Sequence, residues 1–198
     1  MILASASPRR KELLLAAGFD LAIEPANVDE TRLPNEDPLA YVKRLACTKA
    51  KATLHAHGSL STAEVLLAAD TIVWTRERVL GKPKDERDAC AMLHELSGHR
   101  HRVSTGVCIL MGTQQGMPAI RSFVETTTVV FRALADDEIQ AYVATGEPMD
   151  KAGAYAIQGG AGRFVEQLDG DYDNVVGLPV ARVLEELERL KKGASMSR

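Results

Sequence analysis

The chain has 198 residues, 45 % of them hydrophobic and 26 % charged, with a formal net charge of −3. That balance suits one domain or two closely joined lobes with a sizeable core, and it argues against non-specific nucleic-acid binding through a basic surface. Three scattered cysteines, Cys47, Cys90 and Cys108, form no CxxC pair; they indicate neither a zinc site nor a disulfide framework and fit a reduced, cytoplasmic compartment.

In chain order the pattern alternates strand and helix, with a strand-rich middle. Residues 2–4 read as a short apolar strand. A helix follows, with Ser7 as its N-cap, Pro8 at its first position and Gly18 as its stop. A second strand is predicted at 21–24, and Asp37-Pro38 opens a second helix running to about His55. Residues 65–74 form a long apolar strand, and 85–96 a third helix stopped at Ser97-Gly98. Strands at 101–111 and 123–132 follow, the second rich in threonine and valine. Then come a fourth helix at 136–145, a glycine-rich segment at 153–162, a strand at 163–168 and a last helix at 179–191. Residues 192–198 are expected to fray. The chain therefore reads as α/β with a mixed sheet, since two middle strands are joined by a short connection rather than a helix. The opening residues are too short and wrongly ordered for a signal peptide, and the longest apolar run, 65–69, cannot span a bilayer.

Several residues break these patterns in ways that suggest chemistry. Arg9, Arg10 and Lys11 follow Ser5-Ala6-Ser7-Pro8 into the first turn of a helix. Positive side chains there oppose the helix dipole by roughly 0.3–1 kcal/mol each, and a bound polyanion would reverse the sign. Hydroxyls, guanidinium groups and free N–H groups would together cradle phosphates; the alternative is a solvated basic turn. No GxxxxGK[ST] loop occurs. Lys49 lies in phase with the apolar stripe Val42, Leu45 and Ala46, either as a snorkelling lysine or as a site residue. Asp70 interrupts the long apolar strand, where a carboxylate is costly unless paired, hydrogen-bonded or metal-bound. Lys82 sits between Gly81 and Pro83 on a tight loop. Asp29-Glu30 offers hard oxygen ligands for Mg²⁺ or Mn²⁺, or only a solvated pair. Gln158, before Gly159-Gly160, could read a base edge through its donor and acceptor. No HxxxH or HExxH spacing supports zinc chemistry.

Taken together, these segments resemble one family. Leu3-Ala4-Ser5-Ala6-Ser7-Pro8-Arg9-Arg10, Asp29-Glu30, Arg44-Leu45-Ala46 with Lys49-Ala50, Ala69-Asp70-Thr71, Gly81-Lys82-Pro83 and Leu96-Ser97-Gly98 are similar to Maf proteins. So are Val103 with Thr105-Gly106-Val107, Asp150-Lys151-Ala152-Gly153-Ala154-Tyr155, Ile157-Gln158-Gly159 and Asn174-Val175-Val176-Gly177-Leu178-Pro179. The match runs in order over almost the whole chain. Asp171 departs from it, where the family often has serine.

The resemblance implies an inosine-triphosphatase-like fold: a single Maf-type domain, 1–198, with an elongated mixed sheet and helices forming two lobes around a central cleft. It implies a nucleoside triphosphate pyrophosphatase that needs a divalent cation, Mg²⁺ or Mn²⁺, for which Glu30 and Asp70 are candidate ligands, Asp70 acting as base, metal ligand or both. Ser5, Arg9 and Arg10 resemble the phosphate-binding loop. Glu30, Lys49, Asp70 and Lys82 resemble the catalytic cluster, with Asp70 as proton acceptor. Arg9, Thr71 and Gln158 resemble positions linked to nucleotide choice. The wording around Asp70 and Gln158 is similar to the branch acting on dTTP and UTP rather than the one acting on 7-methyl-GTP. A homodimer is compatible with the resemblance, and neither nucleic acid nor membrane is an expected partner. A non-enzymatic regulator of septum formation is the reading from a different class.

Overall fold

The computed structural model describes residues 1–76 and 78–196. The described strands form one seven-stranded mixed sheet. They are β1 (Ile2–Leu3), β2 (Ala22–Ile23), β3 (Val65–Trp74), β4 (Val79–Leu80), β5 (Arg100–Met111), β6 (Ala119–Phe131) and β7 (Val165–Asp169). Their order is β2-β1-β3-β5-β6-β7, with β4 paired to β3. The helices are α1 (Pro8–Ala16), α2 (Pro38–His57), α3 (Glu86–Leu96), α4 (Asp136–Val143), α5 (Tyr172–Val176) and α6 (Val180–Met196). None of them, within the described residues, is long and apolar enough to cross a membrane.

The chain divides into two compact units. The first comprises Met1–Asp70, Thr105–Glu125 and Gly177–Arg198. Within it β1 pairs in parallel with β2 and with β3, in the register Leu3↔Ile23 and Leu3↔Leu67. Both faces of β1 and β3 are covered, so these two strands are apolar at successive positions rather than alternating, whereas β2 is exposed. Leu3, Leu67, Ala69, Val107, Ile109 and Met111 face Leu14 of α1 and Leu178, Val183, Leu187 and Leu190 at and along α6. Their neighbours Ile2, Ala4, Leu66, Ala68, Cys108 and Leu110 face Ala46 and Ala50 of α2. Strand side chains alternate with period two, so Asp70 continues the series of Leu66 and Ala68, on the side covered by α2.

Helix α2 starts at a well-formed cap: Asp37 Oδ1 accepts from Leu39 N at 2.9 Å and Ala40 N at 3.1 Å, with Pro38 at the first position. It lies close to β5 because residue 106 is glycine. A Cβ there would stand 2.4 Å from the Val42 carbonyl oxygen.

The second unit comprises Thr71–Ser104 and Thr126–Val176. Here β4 pairs antiparallel to the end of β3, and β7 antiparallel to β6 with a bulge between Val130 and Phe131. Its interior holds an aromatic cluster. His101 and Phe131 meet edge to face at 4.9 Å, as do Phe131 and Tyr155, while Tyr142 meets Phe164 at 5.3 Å.

Two features depart from the sequence reading. The two-residue β4 and the five-residue α5 are too short to produce a periodic signal. The last helix does not stop at Lys191 but continues through Met196, and residues 197 and 198 lie outside the described residues. Asp171, which departs from the resemblance, serves locally as a cap: its Oδ1 accepts from Asp173 N at 2.8 Å, in the first turn of α5.

Candidate active site

The first unit gathers six of the residues singled out by sequence. Ser7 caps α1, accepting from Arg10 N at 3.5 Å, which brings Arg9 and Arg10 into the first turn beside Ser5. Arg10 is not a solvated basic side chain. Its Nε donates to the Gly177 carbonyl at 2.9 Å and its Nη1 to Ser5 Oγ at 3.0 Å. Ser5 Oγ also accepts from Ser7 N at 3.2 Å. Burial lowers the Arg10 pKa from its ordinary value; the charge of Asp70 opposes this, Arg9 adds to it and Glu30 opposes it. The electrostatic field of the turn is therefore set jointly by two guanidinium groups and two carboxylates.

Those carboxylates meet at Lys49. Its ammonium lies 2.6 Å from Asp70 Oδ1 and 2.7 Å from Glu30 Oε1. The side chains of Lys49 and Asp70 are only 12 % and 14 % exposed, whereas that of Glu30 is 57 % exposed. Lys49 and Asp70 thus form the sheltered pair and Glu30 the solvent-side partner. The sheltered pair needs this geometry, because removing either partner would leave an uncompensated charge away from water. Lys49 is accordingly not a snorkelling lysine: it reaches inward to the carboxylate that interrupts β3.

Other residues hold Glu30 in place, and none of them was read in the sequence as a support for it. Tyr41 Oη donates to the Glu30 carbonyl at 2.8 Å. Arg44 Nη2 donates to the Thr31 carbonyl at 3.1 Å, and Arg44 grips Glu36 through Nε at 2.7 Å and Nη2 at 2.8 Å. Thr31 N in turn donates to Asp29 Oδ1 at 2.8 Å. Hydrogen bonding to Arg44, helped by Leu33 N–H, holds the Glu36 carboxyl at about 2. Tyr41 and Arg44 are three residues apart on α2 and so share a face. That spacing was visible in the sequence; the loop they hold was not.

Thr71, Lys82 and Gln158 belong to the second unit. Thr71 follows Asp70 directly in β3 and is half-buried. Lys82 is exposed on the connection between β4 and α3, where the Gly81 carbonyl accepts from Gly153 N at 3.0 Å. Gly153 is required there: its φ is 69° and a Cβ would strike Val73 at 2.8 Å. Gln158 is exposed, in the turn closed by Gly159 N to Ala156 O at 3.1 Å.

A helix start lined with hydroxyls and guanidinium groups, next to a lysine shared by two carboxylates, defines an α/β protein with a site suited to a polyphosphate. The chain belongs to the Maf-like protein family, whose model matches residues 1–190. It is 47 % identical over 190 residues to a protein of Geobacter sulfurreducens named dTTP/UTP pyrophosphatase, covering 96 % of each chain. Relatives of the same name in Anaeromyxobacter dehalogenans and a Geobacillus species are 49 % and 47 % identical; each match covers 96 % of this chain, and 93 % and 97 % of those proteins respectively. A solved nucleoside-triphosphatase / dITP/XTP pyrophosphatase of Mycobacterium abscessus aligns over 65 % of this chain and 72 % of its own, with a TM-score of 0.34 and 14 % identity.

Proposed function

We propose that this chain hydrolyses dTTP and UTP to the nucleoside monophosphate and pyrophosphate. The observation that carries the chemistry is the Lys49 ammonium held between Asp70 and Glu30 beside the Arg10 turn. The nucleotide choice rests on the name of relatives 47–49 % identical over nearly the whole chain. Water adds to the α-phosphorus, the α–β oxygen bond breaks, and pyrophosphate leaves as the monophosphate forms. In this reading Arg9, Arg10 and Ser5, at the start of α1, bind the triphosphate and stabilise the leaving pyrophosphate. Asp70 orients the attacking water and accepts its proton, while Lys49 fixes the carboxylate. By family resemblance Lys82 is assigned to phosphate binding, and Thr71 and Gln158 to nucleotide choice.

The donor set fits a divalent cation carried in with substrate. Among the described residues there is no cluster of three or more histidine, cysteine or acidic side chains. There are instead two carboxylates, Glu30 and Asp70, which converge on the Lys49 ammonium. Mg²⁺ accepts such a set when phosphate oxygens and water complete its shell. When bound there, Mg²⁺ or Mn²⁺ would neutralise the triphosphate and polarise the reacting phosphorus. Three free cysteines are in keeping with a reducing, cytoplasmic setting.

The test is product analysis across a panel of canonical and modified nucleotides with Mg²⁺ or Mn²⁺. Monophosphate and pyrophosphate should form, fastest from dTTP and UTP. Formation of diphosphate and phosphate would overturn the reaction; a higher kcat/KM for 7-methyl-GTP would overturn the branch; no turnover of any nucleotide would favour the non-enzymatic regulator.

A further inference from the structure

The turn that carries Gln158 hangs from a pair of side chains outside it. Tyr142, at the end of α4, is almost wholly buried, and its hydroxyl donates to Glu147 Oε1 at 2.7 Å. The same hydroxyl accepts from Ala156 N at 3.2 Å, two residues before Gln158. Glu147 accepts from Gly160 N, two residues after Gln158, at 3.1 Å through Oε1 and 3.2 Å through Oε2. Both shoulders of the turn therefore end on one Tyr–Glu hydrogen bond. The glycines fit this contact: a Cβ on Gly159 would stand 2.1 Å from Glu147 Oε1, and one on Gly160 3.2 Å from the Tyr142 ring. Glu147 itself is tied back, its N–H donating to Thr145 Oγ1 at 3.2 Å while Thr145 Oγ1 donates to the Tyr142 carbonyl at 2.6 Å. Read as a sequence, Gly159-Gly160 supplies freedom; in the structure these glycines supply room for a carboxylate.

We infer that Glu147, acting through Tyr142, is a positioning residue that sets the Gln158 amide for base recognition without itself touching the nucleotide. The inference rests on the reading of Gln158 as a base-reading residue. A side chain that discriminates bases by hydrogen bonds must be held in one geometry, because a displaced amide pairs equally poorly with every base. Gln158 is exposed and in a turn of a few residues, so the turn's backbone must supply that rigidity. The two N–H groups flanking it are the ones that Tyr142 and Glu147 hold.

The experiment measures kcat and KM for dTTP, UTP and CTP, together with inhibition by inorganic pyrophosphate, which has no base. In Glu147→Ala the dTTP-to-CTP ratio of kcat/KM falls about tenfold, mostly through a higher KM for dTTP, with kcat and pyrophosphate inhibition within about twofold of wild type. Glu147→Gln recovers part of the ratio, since its amide oxygen still accepts while its amino group opposes Gly160 N–H. Should Glu147→Ala fail to fold, Tyr142→Phe carries the same test, since it removes only the hydroxyl linking the two shoulders. An unchanged ratio in a folded variant overturns the inference if Gln158→Ala flattens it. An equal loss on every substrate and on pyrophosphate overturns it too, by showing that Glu147 merely supports the fold. A wild-type enzyme with no base preference, or a Gln158→Ala variant that keeps it, instead removes the reading of Gln158 and the inference with it.

Discussion

Lys49 Nζ donates to Asp70 Oδ1 at 2.6 Å, tying the middle of α2 to the residue that interrupts the apolar β3. One side chain would be an anomaly on its own element without the other. The pair has a catalytic consequence. Asp70→Asn keeps the shape but loses the base and the charge, so turnover should fall by about 10²–10⁴ while the far-UV spectrum stays that of wild type. A variant that retains most of kcat would make Asp70 a structural partner of Lys49 only. Lys49→Met should also lose activity, and stability as well, because the sheltered Asp70 carboxylate would then lose the ammonium that compensates it.

Arg10 makes two simultaneous contacts, with Gly177 O and Ser5 Oγ, that a lysine cannot reproduce. A non-hydrolysable dTTP analogue with Mg²⁺ should raise the Tm of the wild type through binding to the native state. Arg10→Ala and Arg10→Lys should both lose most of that shift. A full shift in either variant, read by thermal melting at fixed ligand concentration, would place the phosphates elsewhere.

Gly106 lets α2 approach β5. In Gly106→Ala the new Cβ would meet the Val42 carbonyl, which is backbone and cannot rotate away. Displacement of α2 should cost about 1–3 kcal/mol in urea unfolding. Activity should fall as well, although residue 106 bears no functional group, because α2 carries Lys49. Wild-type stability in this variant would show that the helix shifts freely.

His101 gives a pH dependence whose sign follows from burial. Burial lowers its pKa from 6.5 to about 4, opposed by a hydrogen bond with the His99 backbone; its Nε2 lies 2.8 Å from Tyr155 Oη. Between these values the unfolded chain binds a proton that the native protein does not, so native stability falls as pH drops from about 6.5 to about 4. The loss is about 3 kcal/mol when complete. Glu36 and Glu138, each held at about 2 chiefly by hydrogen bonds from Arg44 and Arg132, lose their contributions only at lower pH, from about 4.5 downward. His101→Phe should flatten urea-denaturation midpoints across the upper window and leave the lower one intact. An unchanged slope between pH 6.5 and 4.5 would assign it to other groups.

Gln158→Ala should flatten the preference for dTTP and UTP over CTP more than it reduces kcat on the best substrate, because lost base contacts act on binding rather than on the phosphoryl chemistry. Steady-state kinetics on the three nucleotides decides this. A proportional loss on all three would mean that Gln158 supports the loop alone.

Most elements were legible in the amino-acid order because their signals are local. Ser7-Pro8 and Asp37-Pro38 announce α1 and α2 through caps that lie within four residues of the groups they satisfy. The ten-residue β3 declares itself by continuous apolar content, and Asp70 stands out against it. The candidate residues were likewise recognisable as local misfits: basic groups at a helix start, a lysine on an apolar stripe, a carboxylate in a buried strand. What each misfit pairs with was not recognisable, since the partners are distant in the chain. Arg10 reaches Gly177 across 167 positions and Lys49 reaches Asp70 across 21. Nor did Tyr41, Glu147 or Tyr142 stand out, because each breaks no local rule and acts only through a backbone group or carboxylate that another segment brings to it. Sequence alone therefore determined which residues are too costly to leave unpaired in their own elements; tertiary structure decided the pairs, because a charge can be compensated only by what the packing of α1, α2 and β3 places within hydrogen-bond reach.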